Sequence, residues 1–159
     1  MAAFDCAISS PAVENLLEEI YVMIAYVTVG ADDLAKAERF YSAFLPAMGY
    51  TLEDYHGDLS YILPVAPNQI SQPDFYVKSP FNGQSASAGN GVMVAFQALS
   101  QQQVRDLHEA ALAAGGFDEG RPGFRASYGN NFYVGYLRDP HGNKIAVFSN
   151  DPAEPGRDE

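Results

Sequence analysis

The densest run of polar and aromatic side chains lies between residues 125 and 133, where the chain leads into an apolar segment. A guanidinium group such as that of Arg125 binds a carboxylate or a phosphate through paired hydrogen bonds. The Asn131 amide can orient a carbonyl or an amide, and Tyr128 and Tyr133 can stack on a ligand or donate to it. Because asparagine and glycine also favour turns, the same run fits a structural loop equally well. The sequence thus offers a candidate ligand-binding patch, with a plain turn as the alternative.

Histidine would be needed for the commonest metal and acid–base chemistry, and the three histidines stand far apart in the sequence. His56 precedes a glycine at a turn, His108 lies in a helical pattern beside apolar Leu107, and His141 belongs to an Asp-Pro-His-Gly turn. Such positions favour surface or structural roles over metal ligation. Only His56 is retained as a candidate acid or base. The sequence holds no glycine-rich phosphate loop, Ser-His-Asp pattern or cysteine nucleophile motif.

Composition narrows the class of protein further. The chain has 159 residues, 47% of them hydrophobic, which predicts one compact domain. Its formal net charge of -11 would repel nucleic acid, so we expect no nucleic-acid partner. No apolar run is long enough to span a bilayer, and the N-terminal stretch lacks the basic region of a secretory signal. Together with the single cysteine, Cys6, these features predict a cytoplasmic protein in a reducing compartment and no membrane partner.

An internal repeat indicates which elements must position the candidate residues. Residues 26–50 align without a gap over residues 93–117, with apolar, small and aromatic positions in the same order. The matched pairs include Val27 with Val94, Ala31 with Ala98, Ala43 with Ala110, Leu45 with Leu112, Ala47 with Ala114 and Gly49 with Gly116. A repeat of this kind predicts two copies of one structural unit.

Each copy has the pattern of a strand, a helix and three further strands. The first strand of each is a short apolar run, and each helix begins at a capping residue, Asp32 or Asp33 in the first copy and Ser100 in the second. The Asp-Pro-His-Gly sequence predicts a type I turn between the last two strands. The fold class is therefore α+β, with two tandem β-α-β-β-β modules. The predicted strands are 24–29, 51–55, 59–63 and 74–78, then 92–96, 118–120, 132–138 and 144–149.

The two ends of the chain differ from this repeat. Residues 1–22 form an N-terminal extension, in which Ser10 can cap a short amphipathic helix. The repeated domain spans residues 23–149, with modules at about 23–80 and 90–149, and Met23 is an alternative start that the sequence does not settle. Residues 150–159 are acidic, carry two prolines and offer almost no apolar surface, so we expect a disordered tail.

Three stretches resemble the vicinal-oxygen-chelate superfamily, which includes glyoxalases, bleomycin-resistance proteins and extradiol dioxygenases. They are YVTVGADDLAKAERFYSAFLPAMGY at 26–50, PFNGQSASAGNGVMVAFQALSQQQVRDLHEAALAAGG at 80–116, and NNFYVGYLRDPHGNKIAVF at 130–148. The resemblance covers residues 23–149, and R-D-P-x-G-N-K is its most specific part. It implies two incurved mixed sheets around a cleft that holds the site, and it also implies a homodimer.

The resemblance implies a divalent metal held by histidines on the first strands and a glutamate on a closing strand. This sequence has Tyr26 and Met93 at the histidine positions and Ala146 at the glutamate position. In the first module's closing strand the match is loose, with only Phe75, Tyr76 and Val77 available and Asp74 at the edge. Neutral tyrosine, methionine and alanine do not form a divalent-metal site, so we expect no cofactor, while a divalent metal at a non-standard site stays open.

Three functions follow as hypotheses. The leading one is a metal-independent protein that binds a small organic ligand, with a pocket drawn from Tyr26, Tyr61, Phe75, Met93, Arg125, Tyr128, Asn131, Tyr133 and Ala146. Tyr26, Tyr61, Phe75 and Met93 are also ordinary core candidates. The second is an enzyme, lactoylglutathione-lyase-like, isomerase-like or dioxygenase-like, with weak acid–base candidates in Tyr26, His56 and Asp74. The third is an interaction module whose cleft is filled by its own side chains or by the N-terminal helix.

Overall fold

The computed structural model describes residues 24–64, 73–125 and 127–158. Within the first range, only the main chain of Tyr55 is described. The first module consists of strand β1 (Tyr26–Gly30), helix α1 (Leu34–Tyr41), a 3-10 helix (Leu45–Met48), and strands β2 (Thr51–Tyr55), β3 (Asp58–Ile62) and β4 (Asp74–Lys78). The second consists of strand β5 (Val94–Gln97), helix α2 (Gln101–Ala113), and strands β6 (Phe117–Phe124), β7 (Tyr133–Arg138) and β8 (Lys144–Ser149). The predicted N-terminal extension and its helix lie outside the described residues.

Each module forms its own mixed four-stranded sheet. The strand orders are β1-β4-β3-β2 and β5-β8-β7-β6. In both sheets the first strand pairs parallel to the last, and the other pairs are antiparallel. The predicted α+β class and the two repeated modules are therefore confirmed. Among the described residues, no helix has the length and apolar character needed to cross a membrane.

Both helices begin at capping residues that the sequence predicted, Asp33 and Ser100. The Asp33 side chain accepts from the Lys36 backbone N–H at 3.0 Å, and the Ser100 hydroxyl accepts from the Gln103 N–H at 3.0 Å. Helix α1 ends at Tyr41, and the chain then turns into the 3-10 helix with Pro46 in its first turn. Residues of that turn still reach the core, since Leu45 is fully buried.

One hydrophobic core joins the two modules. The Phe96 ring on β5 lies 5.3 Å from Phe75 on β4 and 5.9 Å from Phe44 after α1, with both pairs edge-to-face. Edge-to-face aromatic pairs stabilise a core beyond the area that they bury. These rings therefore belong to the core that the two modules share, and Phe75 and Phe96 are almost fully buried in it.

A buried polar contact ties the turn between β7 and β8 to the first module. The Asp139 carboxylate is fully buried and accepts a hydrogen bond of 2.8 Å from the Tyr41 hydroxyl. It also accepts from the backbone N–H groups of His141 and Asn143, at 2.9 and 2.8 Å. The Asn143 amide donates to the Gly30 carbonyl at 2.9 Å. The Asp-Pro-His-Gly-Asn turn thus joins the modules, in addition to reversing the chain.

The C-terminal residues 150–158, for which composition predicted a disordered tail, make hydrogen bonds to the second module. Residues 150–158 lie against the second module, where the Glu154 carboxylate accepts from the backbone N–H of Gln101 at 2.7 Å. The Glu154 carbonyl accepts from the Asn131 amide at 3.0 Å, and the Arg157 N–H donates to the Asn130 carbonyl at 3.0 Å. A carboxylate at the start of a helix interacts favourably with the free N–H groups there, which composition alone does not reveal.

Candidate functional site

The strand register shows which positions of the two modules are equivalent, among them the positions that the resemblance compares with metal ligands. Tyr26 pairs with Asp74 in the first sheet, and Val94, one residue after Met93, pairs with Ile145 in the second. Extending that pairing by one residue places Met93 opposite Lys144, as Tyr26 is opposite Asp74. Ala146 lies two residues beyond Lys144, so its equivalent in the first module is Tyr76, two residues beyond Asp74. By this register Tyr76 is the first module's equivalent of Ala146.

Four side chains stand at these positions and do not suit a hard divalent metal: Tyr26, Tyr76, Met93 and Ala146. Tyr26 is 60% exposed and its ring centroid lies 5.4 Å from that of Tyr76. The Tyr76 hydroxyl donates to the Asp74 carboxylate at 3.0 Å, and this hydrogen bond raises the pKa of Tyr76, which disfavours the phenolate that a metal would require. Met93 offers a soft thioether and Ala146 offers no donor. In the described ranges, no three His, Cys, Asp or Glu side chains are close enough to hold a metal ion together.

An apolar cavity of about 410 Å³ lies between the modules. Its walls come from the chain before and within β1, from Tyr50, from the start of β4 and from the segment 92–96. Asp74 supplies a carboxylate there, and the Tyr50 hydroxyl donates to the Pro73 carbonyl at 3.3 Å. Burial raises the pKa of Tyr50, so this hydroxyl stays neutral. Apolar walls with a few polar groups are typical of sites for small organic molecules.

A polar cavity of about 540 Å³ adjoins it, because Val92 and Met93 line both. Its other walls are the small-residue loop 88–91 and the side chains of Arg138 and Lys144. Arg138 Nε donates to Glu119 Oε1 at 2.6 Å, and Lys144 Nζ lies 3.5 Å from Glu119 Oε2. The hydrogen bond from Arg138, with the charge of Lys144, lowers the pKa of Glu119. Two cations therefore share one ionised carboxylate beside this cavity.

Known proteins with a similar structure were found at high probability. A crystal structure of a glyoxalase/bleomycin resistance protein from Albidiferax ferrireducens T118 is 35% identical in sequence, with a TM-score of 0.69, and the match covers 82% of this chain and 100% of that chain. This chain belongs to the glyoxalase/bleomycin resistance protein family. The vicinal-oxygen-chelate resemblance drawn from the sequence is thus confirmed.

More distant structures share the fold of this family. A glyoxalase-related enzyme from Fulvimarina pelagi has a TM-score of 0.63 at 21% identity, covering 82% of this chain and 89% of its own. A glyoxalase/bleomycin resistance protein/dioxygenase family enzyme from Burkholderia phytofirmans PsJN has a TM-score of 0.59 at 14% identity, covering 80% of this chain and 98% of its own. A scan of protein-family models and a search of curated proteins each found no match.

Several predicted site residues of this family member do meet. Asp74, Phe75 and Met93 all line the apolar cavity, although they are distant in sequence. Tyr26 and Tyr76 lie together on the open face of the first sheet, where Tyr76 lines a separate hollow of about 350 Å³ with Glu53. The positions that resemble metal ligands are thus divided: Met93 faces the two adjoining cavities, and Ala146, 2% exposed, is buried in the second sheet.

Tyr61 is placed in the core, away from all of these cavities. It is fully buried, its hydroxyl lies 3.0 Å from the Ser42 hydroxyl, and it also donates to the Glu38 carbonyl at 3.4 Å. Burial raises the pKa of Tyr61 to about 12. The alternation of side chains along β3 turns this residue toward α1, so it acts as a core residue and not as a pocket wall.

In the segment 125–133, which composition predicted as a ligand-binding patch, the Arg125 and Asn131 side chains bind other parts of this chain. The Arg125 guanidinium donates to the backbone carbonyls of Arg121 and Gly123, at 2.8 and 3.2 Å, and lies over the Tyr136 ring. Its donors therefore hold the irregular end of β6. Asn131 binds the C-terminal residues, as described above. The turn alternative fits these two residues better than the ligand-binding one.

The two tyrosines of this segment, Tyr128 and Tyr133, have different surroundings. The Tyr133 hydroxyl accepts from Arg105 of α2 at 3.2 Å, so its side chain lies on the helix side of the second sheet. Tyr128 is 52% exposed, with its ring centroid 4.9 Å from that of Phe132, and is the one candidate of this segment left facing solvent. His56 is exposed in the β2–β3 turn with φ of 57°, and it lines none of the three cavities described.

Sequence reasoning missed Arg138, Lys144 and Glu119. Arg138 and Lys144 face each other in the β7–β8 register, on either side of the predicted turn. Two basic residues that flank a hairpin turn at paired positions lie side by side on one face, and this signal was available in the sequence. Glu119 was hidden because the glycines and proline of β6 obscure the alternation of a strand.

Proposed function

We propose that this protein binds a small organic molecule without a metal. The observation that carries the proposal is the set of side chains at the four positions equivalent to metal ligands, Tyr26, Tyr76, Met93 and Ala146. None of them is a histidine or a carboxylate, so no Lewis acid is available at the position where the family resemblance implies one. Binding or sequestration needs a shaped cavity and does not need a metal.

The adjoining cavities support binding over the interaction module. Cavities of about 410 and 540 Å³ fall in the range that holds drug-sized molecules. Within the described residues, the walls at Val92 and Met93 are exposed to the cavities and are not covered by neighbouring side chains. A glyoxalase-like lyase, isomerase or dioxygenase would need a proton-transfer group at the same place. Asp74 is the acidic group that lines the apolar cavity, and its carboxylate already accepts a hydrogen bond from the Tyr76 hydroxyl.

The proposal is tested by thermal unfolding with a panel of aromatic and amphipathic organic compounds. A ligand at a hundred times its Kd adds about 2.7 kcal/mol to the stability of the native state, which raises the Tm of a chain this long by roughly 5–10 °C. We expect such a saturable rise with an organic compound in protein that elemental analysis shows to be metal-free.

A cavity-filling variant locates the site. Met93→Trp places an indole where the two cavities adjoin, and we expect it to abolish the ligand-induced rise in Tm. Phe117→Trp is the matched control, because Phe117 is also an exposed apolar residue but lines neither cavity. Equal responses of the two variants would place the ligand elsewhere. Near-stoichiometric bound metal would refute the proposal as a whole. A homodimer and a cytoplasmic location stay predictions from the resemblance and the composition.

A further inference from the structure

We propose that the polar cavity binds the anionic group of an organic ligand, a carboxylate or a phosphate, through Lys144 and Arg138, while the apolar part of the ligand enters the adjoining cavity. This inference rests on the proposed function and names the class of ligand for the same site. Arg138 and Lys144 take the anion-binding role that the sequence suggested for Arg125, because the Arg125 guanidinium donates to backbone carbonyls.

The balance of charges beside the polar cavity favours the binding of an anion. Arg138 and Lys144 carry one positive charge each, and Glu119 supplies the carboxylate that both contact. Arg138 also donates to the Gly142 carbonyl at 2.7 Å, which holds the guanidinium in place without neutralising it. One positive charge is therefore left uncompensated within this cluster, in a chain whose net charge is -11. All three side chains are about one-third exposed, so a ligand can reach them.

The comparison with the first module shows that this excess is local. Lys78 Nζ lies 5.4 Å from the centroid of the Tyr76 ring, just as Lys144 Nζ lies 5.4 Å from that of Tyr136. Lys78, however, forms a 3.0 Å ion pair with Asp58, so one cation meets one carboxylate there. Two cations that share one carboxylate keep an affinity for a second anion, whereas a balanced pair does not.

The shape of the walls indicates the rest of the ligand. Val92 and Met93 belong to both cavities, so a molecule bound by its anionic end at Lys144 can extend past Met93 onto Phe75 and Phe96. The loop 88–91 consists of small residues, and Gly91 has a φ of 91°, which lets the backbone form the cavity wall without a bulky side chain. An anion joined to a flat apolar body fits this arrangement, and inorganic phosphate alone does not use the apolar part.

Calorimetric titration of the full chain with four probes tests the inference. Benzoate and phenyl phosphate carry the two anionic groups on the same ring, benzamide is a neutral analogue of benzoate, and inorganic phosphate lacks the ring. We expect benzoate or phenyl phosphate to bind at least fivefold more tightly than benzamide and than inorganic phosphate. Tighter binding of benzoate would indicate a carboxylate ligand, and tighter binding of phenyl phosphate would indicate a phosphate ligand.

Three variants assign the effect to the cluster. Lys144→Gln should weaken binding of the aromatic anion about five- to tenfold, the effect of removing one charge at contact distance in a solvated site. Glu119→Gln removes the competing carboxylate and should strengthen it, a change of opposite sign that structural damage would not produce. Lys78→Gln is the matched control and should leave the affinity unchanged.

The outcomes separate this inference from the proposed function. Benzamide binding as tight as benzoate, or Lys144→Gln and Lys78→Gln with equal affinities, would overturn the anion inference and leave a metal-free binding protein. The absence of binding by every organic probe, together with a saturable response to a metal ion, would overturn both.

Discussion

Replacing Tyr41 by phenylalanine tests the polar contact between the modules. Tyr41→Phe removes only the hydroxyl that donates to buried Asp139 at 2.8 Å, in a residue that is itself fully buried. A hydrogen bond to a charged group contributes about 1.5–3 kcal/mol to stability, so we expect a loss near the middle of that range, about 2 kcal/mol. For a chain of this length the Tm should fall by roughly 4–8 °C.

Tyr61→Phe is the matched control for this prediction. Tyr61 is also fully buried, but its hydroxyl contacts the neutral Ser42 hydroxyl at 3.0 Å, and such a bond contributes only about 1 kcal/mol. Urea unfolding at neutral pH gives both free energies of unfolding, and an unchanged slope in urea confirms that only stability has changed. A loss in Tyr41→Phe no larger than that in Tyr61→Phe would refute the charge-assisted contact between the modules.

Three further perturbations follow from the packing and the pKa shifts. Because burial raises the pKa of Tyr61 from 10.0 to about 12, the stabilisation from its neutral form is complete below pH 10 and is lost as the pH rises toward 12. Urea unfolding across this range should show a shallower decline for Tyr61→Phe than for the wild type, and identical slopes would contradict the assignment. Gly116→Ala should lower stability by about 1–3 kcal/mol, because its β-carbon would lie 2.6 Å from a ring atom of Phe40. Gly129→Ala is the control and should be nearly neutral, because a β-carbon there meets nothing within 4 Å. Thermal unfolding of the two variants compares their stabilities. Glu154→Ala should lower stability by about 1 kcal/mol, since the carboxylate accepts from the first backbone N–H of α2, and an unchanged Tm would show that the C-terminal residues do not stabilise the helix.

The sequence predicted the repeated fold well because local patterns and long-range packing agree there. Strands β2, β4 and β8 have the predicted bounds, and the N-caps at Asp33 and Ser100 lie where the side chains can reach free N–H groups. Strand β6 was largely missed, because two register shifts at Gly120 and Gly123 break its alternation. The hydrogen bonds of the C-terminal residues could not be predicted from composition, because they depend on individual polar groups and not on apolar area.

The candidate site was harder to predict than the fold. The expectation that Tyr26, Met93 and Ala146 hold no divalent metal rests on residue type and on the alignment of motifs, and it stays a prediction. Composition could not indicate which side chains face a cavity: Arg125 and Tyr133 are chemically suitable, but their partners are backbone carbonyls and a helix side chain. Lys144 became a candidate only when the sheet placed it beside Arg138 and opened a cavity next to it.

The central claim is that binding does not depend on a metal, and ligand titration of chelator-treated protein tests it most directly. The protein is titrated with the organic compound that gives the largest rise in Tm, before and after addition of Ni, Zn, Fe(II), Mn or Mg. We predict the same Kd in every sample, because Tyr26, Tyr76, Met93 and Ala146 provide no site for these ions. Binding that is lost on chelation and returns with one stoichiometric metal would contradict the account.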